Sequence, residues 1–286
     1  MVPLNKNDMK RYFKLIIPAA IFCILMSFRY KTHTGSEQPS GLAYYHFYHI
    51  KDSTQTGKVY SEDFILGFTT NKSIYSSQSK LKQDSTMEAA LHAAEVKKSA
   101  SVDLGVVLPV TEEDIYVDKG KLFTVKTTYS QSYLIAGEGD KIDWKIDRET
   151  KSILGYTCQK ATGVCKGRKY TAWFTTDIPA SFGPWKLQGL PGLILEAYDD
   201  RYFIKFTCTK FIAQSNFSQL KSVSIPANAT PTTKKEYEKM KKAQAEGFLA
   251  GGFSDNVTID KITTEGGNNT PQAKKFTINY PLELTD

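Results

Sequence analysis

GPWKLQGLPGLILEAYDD, residues 183–200, is the stretch whose reading decides the fold. Gly183, Pro184, Gly189 and the Pro191-Gly192 pair punctuate its first ten residues, and an unbroken apolar run, Leu193-Ile194-Leu195, follows. A phosphate-holding glycine loop aims backbone N–H groups at an anion, usually with a helix N-terminus behind them. Its P-loop version also ends in Lys and Ser/Thr. This stretch has neither feature, and Pro184 and Pro191 remove two donors. Leu190-Pro191-Gly192-Leu193 instead fits a type II turn, with proline presetting φ at its second position and Gly192 taking positive φ at its third. The run from Leu193 does not alternate, so it is expected to enter a strand buried on both faces. Trp185 and Leu187 are expected to cover the turn.

Working outward, the pattern is largely β. LAYYHFYHIKD and VYSEDFILGFTT alternate imperfectly between turn-rich segments. SILGYTCQKA and RKYTAWFTT read as a hairpin turning near Thr162-Gly163, and Asp199-Asp200 turns one later strand into the next. Two helices interrupt the strands. DSTMEAALHAAEVKKSA carries a capping box at Ser85 and Glu88, with Met87, Leu91 and Ala94 on one face. TTKKEYEKMKKAQAEGFLA carries another at Thr233 and Glu236, with Tyr237, Met240 and Phe248 near one face. The fold class is therefore α+β and β-dominated: one antiparallel-sheet domain with about two helices, and no repeat or interdomain linker.

The formal charge of +7 is uneven. Residues 1–41 hold Lys6, Lys10, Arg11, Lys14, Arg29 and Lys31 against Asp8 and Glu37, a net +4, leaving +3 for the remainder. That balance is too mild for a nucleic-acid surface, which shows a basic patch on the domain itself. The N-terminal excess belongs to a basic stretch followed by the apolar LIIPAAIFCILMSF (15–28), too short for a permanent membrane helix of about twenty residues. It reads as a secretory signal. The expected organisation is a signal and flexible segment over 1–41 and a β-rich domain over 42–286, in an exported protein. Cys158, Cys165 and Cys208 follow the signal, an odd number that allows one disulfide or none.

GLPGLILE resembles the signature of the GLPGLI family of Bacteroidota envelope proteins. ILGYTCQKATGVCKGRKYTAWFTTDIPASFGPWKLQGLPGLILEAYDD (153–200) is similar to that family's core block. YYHFYHIKD and FILGFTTNKSIYSS resemble its opening strands and NYPLEL its closing segment. The resemblance implies a periplasmic or outer-membrane location and an association with TonB-dependent outer-membrane transporters. The β-rich pattern is also reminiscent of half-open barrels of the lipoprotein-carrier type. Cys158 sits where the family tends to carry a cysteine, whereas Cys165 stands at a position expected to be apolar. Cys165 and Cys208 are thus a candidate disulfide, expected on adjacent strands.

No GxSxG elbow, HExxH or P-loop occurs in the chain, and no catalytic residue, cofactor or metal site is assigned. His46 and His49 point to opposite faces of a strand and do not share a metal. The carboxylates around Glu112–Asp118 and around Trp144 read as solvated turns. Gly183, Pro184, Gly189, Leu190, Pro191, Gly192, Leu193 and Ile194 are read as structural, and Trp173 and Trp185 as a binding surface or cavity wall. The expected function is a non-enzymatic accessory subunit of an outer-membrane transporter. A half-barrel carrier of a lipid or hydrophobic ligand is the alternative, and a carboxylate-based hydrolase a further one.

Overall fold

Lys119-Gly120, Leu154-Gly155 and Lys166-Gly167 each place two successive residues at positive φ (51° and 77°, 53° and 83°, 47° and 74°). Paired positive φ is the type I′ geometry, whose twist matches that of the two strands it joins. These three turns build three tight hairpins in a computed structural model that describes residues 37–98, 110–128, 131–137, 141–213, 220, 222–249 and 278–285. The signal segment lies outside the described residues as far as 36. The described strands are β1 (Gly41–His49), β2 (Tyr60–Phe68), β3 (Lys72–Ser77), β4 (Glu113–Asp118), β5 (Lys121–Thr128), β6 (Gln131–Ala136), β7 (Lys145–Ile153), β8 (Tyr156–Cys165), β9 (Arg168–Thr175), β10 (Leu193–Asp199), β11 (Ile204–Ala213) and β12 (Thr230–Thr232). Two helices, α1 (Gln78–Lys97) and α2 (Lys234–Leu249), complete the set.

All twelve strands share one sheet, in the order β12-β6-β5-β4-β3-β2-β1-β11-β10-β9-β8-β7. Every pairing is antiparallel except the short parallel one between β12 and β6. The sheet is half-open: it curls without closing into a barrel. β7 forms one edge, and its first six residues are all exposed. The hairpin expected to turn at Thr162-Gly163 turns instead at Lys166-Gly167, and Gly163 lies within β8. There the Trp144 ring packs closely on the chain, since a Cβ on Gly163 would come within 2.8 Å of it.

The imperfect alternation of the first strands has a simple cause: both faces of the central sheet are covered. On the inner face Tyr45, Phe47, Phe64, Leu66, Tyr75 and Phe206 join the main core, which the 177–192 connection fills with Ile178, Phe182, Trp185, Leu187 and Leu190. On the outer face Leu42, Ile65, Ile74, Tyr116 and Val125 lie under Leu220 and Val223. Each fully buried Leu, Ile or Phe contributes about 1.5–3 kcal/mol.

The inward connection is held by its own backbone. Leu193 N–H donates to Ile178 O at 3.1 Å, Ile194 N–H to Phe182 O at 3.1 Å, and Gly189 N–H to Ser181 O at 3.0 Å. A bulge interrupts the β10–β9 register between Ile194 and Glu196. The Tyr45 hydroxyl reaches across the core to donate to the Ile194 carbonyl at 2.6 Å. The type II turn expected at Leu190–Leu193 is corrected, because Gly192 does not have positive φ and the loop's left-handed glycine is Gly189, at 94°. Gly192 is required for another reason: a Cβ there would lie 2.0 Å from the Thr175 carbonyl oxygen.

The two helices differ in how far they follow their expected starts. α1 begins seven residues before the Ser85 cap, with Ser77 as the N-cap accepting from Lys80 N–H at 3.1 Å. Leu91 of its expected apolar face is 51% exposed, so the helix projects from the sheet and is tethered near its base. The tether is the buried Lys80, whose ammonium lies 2.8 Å from Asp114 on β4, while Ser76 Oγ donates to the same carboxylate at 2.5 Å. Asp114 is thus no solvated turn residue. α2 starts as expected: Glu236 N–H donates to Thr233 Oγ1 at 3.2 Å, and Thr233 N–H donates back to the Glu236 carboxylate at 3.1 Å. Tyr237 packs on Tyr133, and the side chain of Phe248 lies outside the described residues. Among the described residues no helix is long and apolar enough to cross a membrane.

These contacts set the expected cost of two substitutions. Gly192→Ala should already destabilise by about 1–3 kcal/mol through overpacking against the Thr175 backbone, and Gly192→Val by more. A urea midpoint for Gly192→Ala equal to that of wild type would refute the close approach. Lys80→Met should cost about 3–5 kcal/mol by stranding a buried carboxylate, and adding Asp114→Leu should recover most of it. A double variant no more stable than Lys80→Met would show that the two side chains are not coupled.

Candidate ligand cavity

Aromatic residues at opposed and diagonal positions on neighbouring strands bring their rings to one place on the inner face. Phe47 on β1 opposes Phe206 on β11, and their rings stack at 4.8 Å between centroids. Phe64 on β2 stacks on Tyr75 of β3 at 4.7 Å. Trp185, carried in by the 177–192 connection, lies nearly parallel to Phe206 at 6.4 Å. These five rings and Ile115 wall a cavity of about 280 Å³, close to the small end of ligand sites. Its rim is mixed: Ile278, Pro281 and Leu282 on one side, and His49, Lys51, Tyr60, Thr111 and Glu113 elsewhere. Behind it, a chamber of about 10 Å³ shares Tyr75, Ile115 and Trp185 as walls. That is about the room one water needs.

Polar atoms in these walls stand out. The Tyr75 hydroxyl and the Trp185 indole N–H are buried and meet no acceptor among the described residues. Buried donors in folded proteins nearly always have a partner, so these two are exceptions within the core. Trp185 also sits at φ 56°, in the left-handed region that non-glycine residues seldom adopt. The turn enforcing it is closed by Leu187 N–H donating to Pro184 O at 3.1 Å. Gly183 gives this turn its room, since a Cβ there would come within 2.7 Å of the Leu187 carbonyl.

The segment 278–285 straps the cavity rim to distant parts of the sheet. Tyr280 N–H donates to Lys51 O at 3.0 Å, and Leu284 N–H to Lys166 O at 2.9 Å. Arg168 donates to Pro281 O at 2.6 Å, the Tyr280 hydroxyl donates to Asp199, and Lys186 pairs with Glu283. His49 Nε2 bonds the Tyr280 carbonyl at 2.8 Å. A carbonyl only accepts, so Nε2 carries the proton.

A second, polar cleft of about 250 Å³ adjoins Tyr60 and is lined by His46, Glu62, Asp63 and Ser79. His46 pairs with Asp63 at 2.7 Å. Glu62 points to the other face of β2, where Tyr60, Ser77 and Thr111 hydroxyls all donate to it. Adjacent strand positions point apart, so Glu62 and Asp63 do not form a facing pair. Glu113 is likewise turned towards Lys126, at 3.7 Å. His46 and His49 lie on opposite faces of β1, one exposed and one buried. No cluster of three or more metal-ligating side chains occurs among the described residues.

The remaining sequence candidates fall in different places. Trp185 is a cavity wall, 5% exposed. Trp173 is equally buried but sits elsewhere, with the Lys151 ammonium 4.3 Å from its ring centroid and its indole N–H 3.4 Å from the Tyr198 hydroxyl. Neither forms an open surface. The disulfide expected between Cys165 and Cys208 is corrected: both are thiols, and β9 and β10 separate their strands. Burial pushes the Cys158 thiol up to about 11 and that of Cys208 up to about 12, which suits neither to act as a nucleophile at neutral pH.

A family described as "Protein of unknown function (Porph_ging)" matches residues 164–196, from the end of β8 through the inward connection into β10. A comparison with curated proteins finds no match. Among solved structures the chain is similar to PNGF-II in its C2 and P21 crystal forms, with 17% identity and a TM-score of 0.49 in each. These alignments cover 70% and 71% of this chain, which spans about a third of the PNGF-II chains (32% and 33%). It is also similar to an uncharacterized conserved protein from Thermus thermophilus, with 6% identity, a TM-score of 0.34, and coverage of 68% of this chain and 91% of that one. These findings correct the expected accessory subunit of a TonB-dependent transporter. None of these three structures is named as a transporter component, and the inner face offers an aromatic cavity instead.

Burial holds the His49 imidazole below its ordinary value of 6.5; Lys51 and Arg168 add to this, while the Tyr280 carbonyl and Asp199 oppose it. A histidine whose folded value lies below its unfolded one stabilises the fold above the unfolded value, and that contribution is lost as pH falls through the folded one. Wild type should therefore lose stability on acidification below about pH 6.5 more steeply than His49→Gln. Denaturant midpoints for both between about pH 7 and about pH 5 provide the check, and parallel curves would remove His49 from the account.

Proposed function

We propose that this chain is an exported, GLPGLI-type envelope protein whose half-open barrel carries a small hydrophobic ligand. One observation carries the reading: five aromatic rings from β1, β2, β3, β11 and the inward connection line a cavity of about 280 Å³. Ligand sites are concave and mostly apolar, with a few polar groups that fix orientation. The basic and apolar N-terminal segment supports export, and the motif block over 153–200 supports the family reading. The cavity takes up the ligand's apolar body against the Phe47, Phe64, Phe206 and Trp185 rings.

The test is binding of the neutral apolar dye N-phenyl-1-naphthylamine, followed by its fluorescence. One saturable site per chain is expected. Ile115→Trp, which fills the cavity, should remove that site. Circular dichroism would show whether this variant folds, and Phe206→Leu, a milder change of the wall, should weaken binding without abolishing it. A dye that does not saturate on wild type, or binds both variants unchanged, would overturn the reading.

A further inference from the structure

We infer that the cavity's ligand is a single acyl chain ending in an anionic head group, and that Lys51 receives that head. This rests on the hydrophobic-ligand reading above and adds its chemistry and its orientation.

Lys51 lies at the cavity rim, two residues beyond the end of β1. Its backbone is pinned by the bond from Tyr280 N–H to its carbonyl, and its ammonium lies 3.4 Å from the centroid of the Tyr60 ring. Several half-buried lysines have a carboxylate: Lys72 meets Glu37, Lys151 meets Glu196, and Lys186 meets Glu283. Lys51 has none within ion-pair distance among the described residues. Glu113, the carboxylate that shares the rim, is drawn to Lys126 instead. Burial depresses the Lys51 ammonium, with Glu62 opposing from further off. A cation partly removed from water and facing only a π-face is under-compensated. An anionic head at the rim supplies the missing partner.

The rest of the cavity sets what that head is attached to. Phe47, Phe64 and Phe206 provide apolar wall without hydrogen-bonding capacity, and a volume of about 280 Å³ suits a medium-length chain rather than a two-chain lipid. The head stays at the rim beside Lys51 while the chain runs inward over the rings. A cationic head is repelled there, and a neutral one leaves Lys51 as it is.

The experiment compares decanoate, decanol and decyltrimethylammonium, which share a tail and differ in charge, by calorimetric titration of the full chain. Decanoate is expected to bind tighter than decanol by about tenfold, and the ammonium compound more weakly than either. Lys51→Gln should bring decanoate down to the level of decanol and leave decanol unchanged, while Lys51→Arg should keep the preference. Equal binding of all three would overturn the head-group inference and leave the cavity standing. Lack of binding by any of them would overturn the cavity reading with it. A Lys51→Gln variant that weakens decanoate and decanol alike would overturn the head-group role and show that Lys51 only shapes the rim.

Discussion

The backbone of Gly192 runs against the carbonyl of Thr175 so closely that no side chain fits between them, and the interior depends on that contact. Because of it, the end of β9 and the start of β10 lie side by side while residues 177–192 pass through the hollow of the sheet. The bulge beyond Ile194 and the Tyr45 hydroxyl on the Ile194 carbonyl settle the other side of the same passage. Loops seldom run through a core, because their polar backbone groups need partners there. This one is tolerated because its Ile178 and Phe182 carbonyls accept from Leu193 and Ile194 of β10, and its Gly189 N–H donates to Ser181 O. The outcome is a half-open barrel filled from within by its own connection except where the Trp185 ring leaves a cavity.

That cavity draws on parts of the chain far apart in sequence. Phe47 and Phe206 are paired by register across β1 and β11, whereas Trp185 arrives with the inward connection and Leu282 with the strap. The strap's polar anchors fall on β1, β9, the end of β10 and the inward connection. Its bonds therefore tie together elements that the sheet ladder alone would leave independent. The left-handed Trp185 belongs to the same logic: an unfavourable backbone state persists only where its surroundings over-determine it.

Much of the architecture was legible in the residues. The β-dominated class, the strand from Leu193, the turn at Asp199-Asp200 and the Thr233–Glu236 cap all rest on local patterns that tertiary contacts did not override. The misreadings share a cause as well. Lys166-Gly167 outcompeted Thr162-Gly163 because a type I′ turn needs two residues at positive φ, and Gly163 serves ring packing instead. Ser85 lost its cap to Ser77, whose backbone was already committed at the end of β3. The cavity was legible only through Trp185. Nothing local marks Phe47 and Phe206 as neighbours, because that depends on register between strands 159 positions apart.

An unclosed sheet has edges, and the one formed by β7 faces water along most of its length. Its residues Lys145, Asp147, Arg148, Glu149 and Lys151 alternate in sign, and the register against β8 slips between Ile146 and Thr150. Charged, irregular edges are poor templates for a strand from another molecule. The protein thereby keeps the open side that a barrel would lose, and it discourages the stacking of copies edge to edge into fibrils.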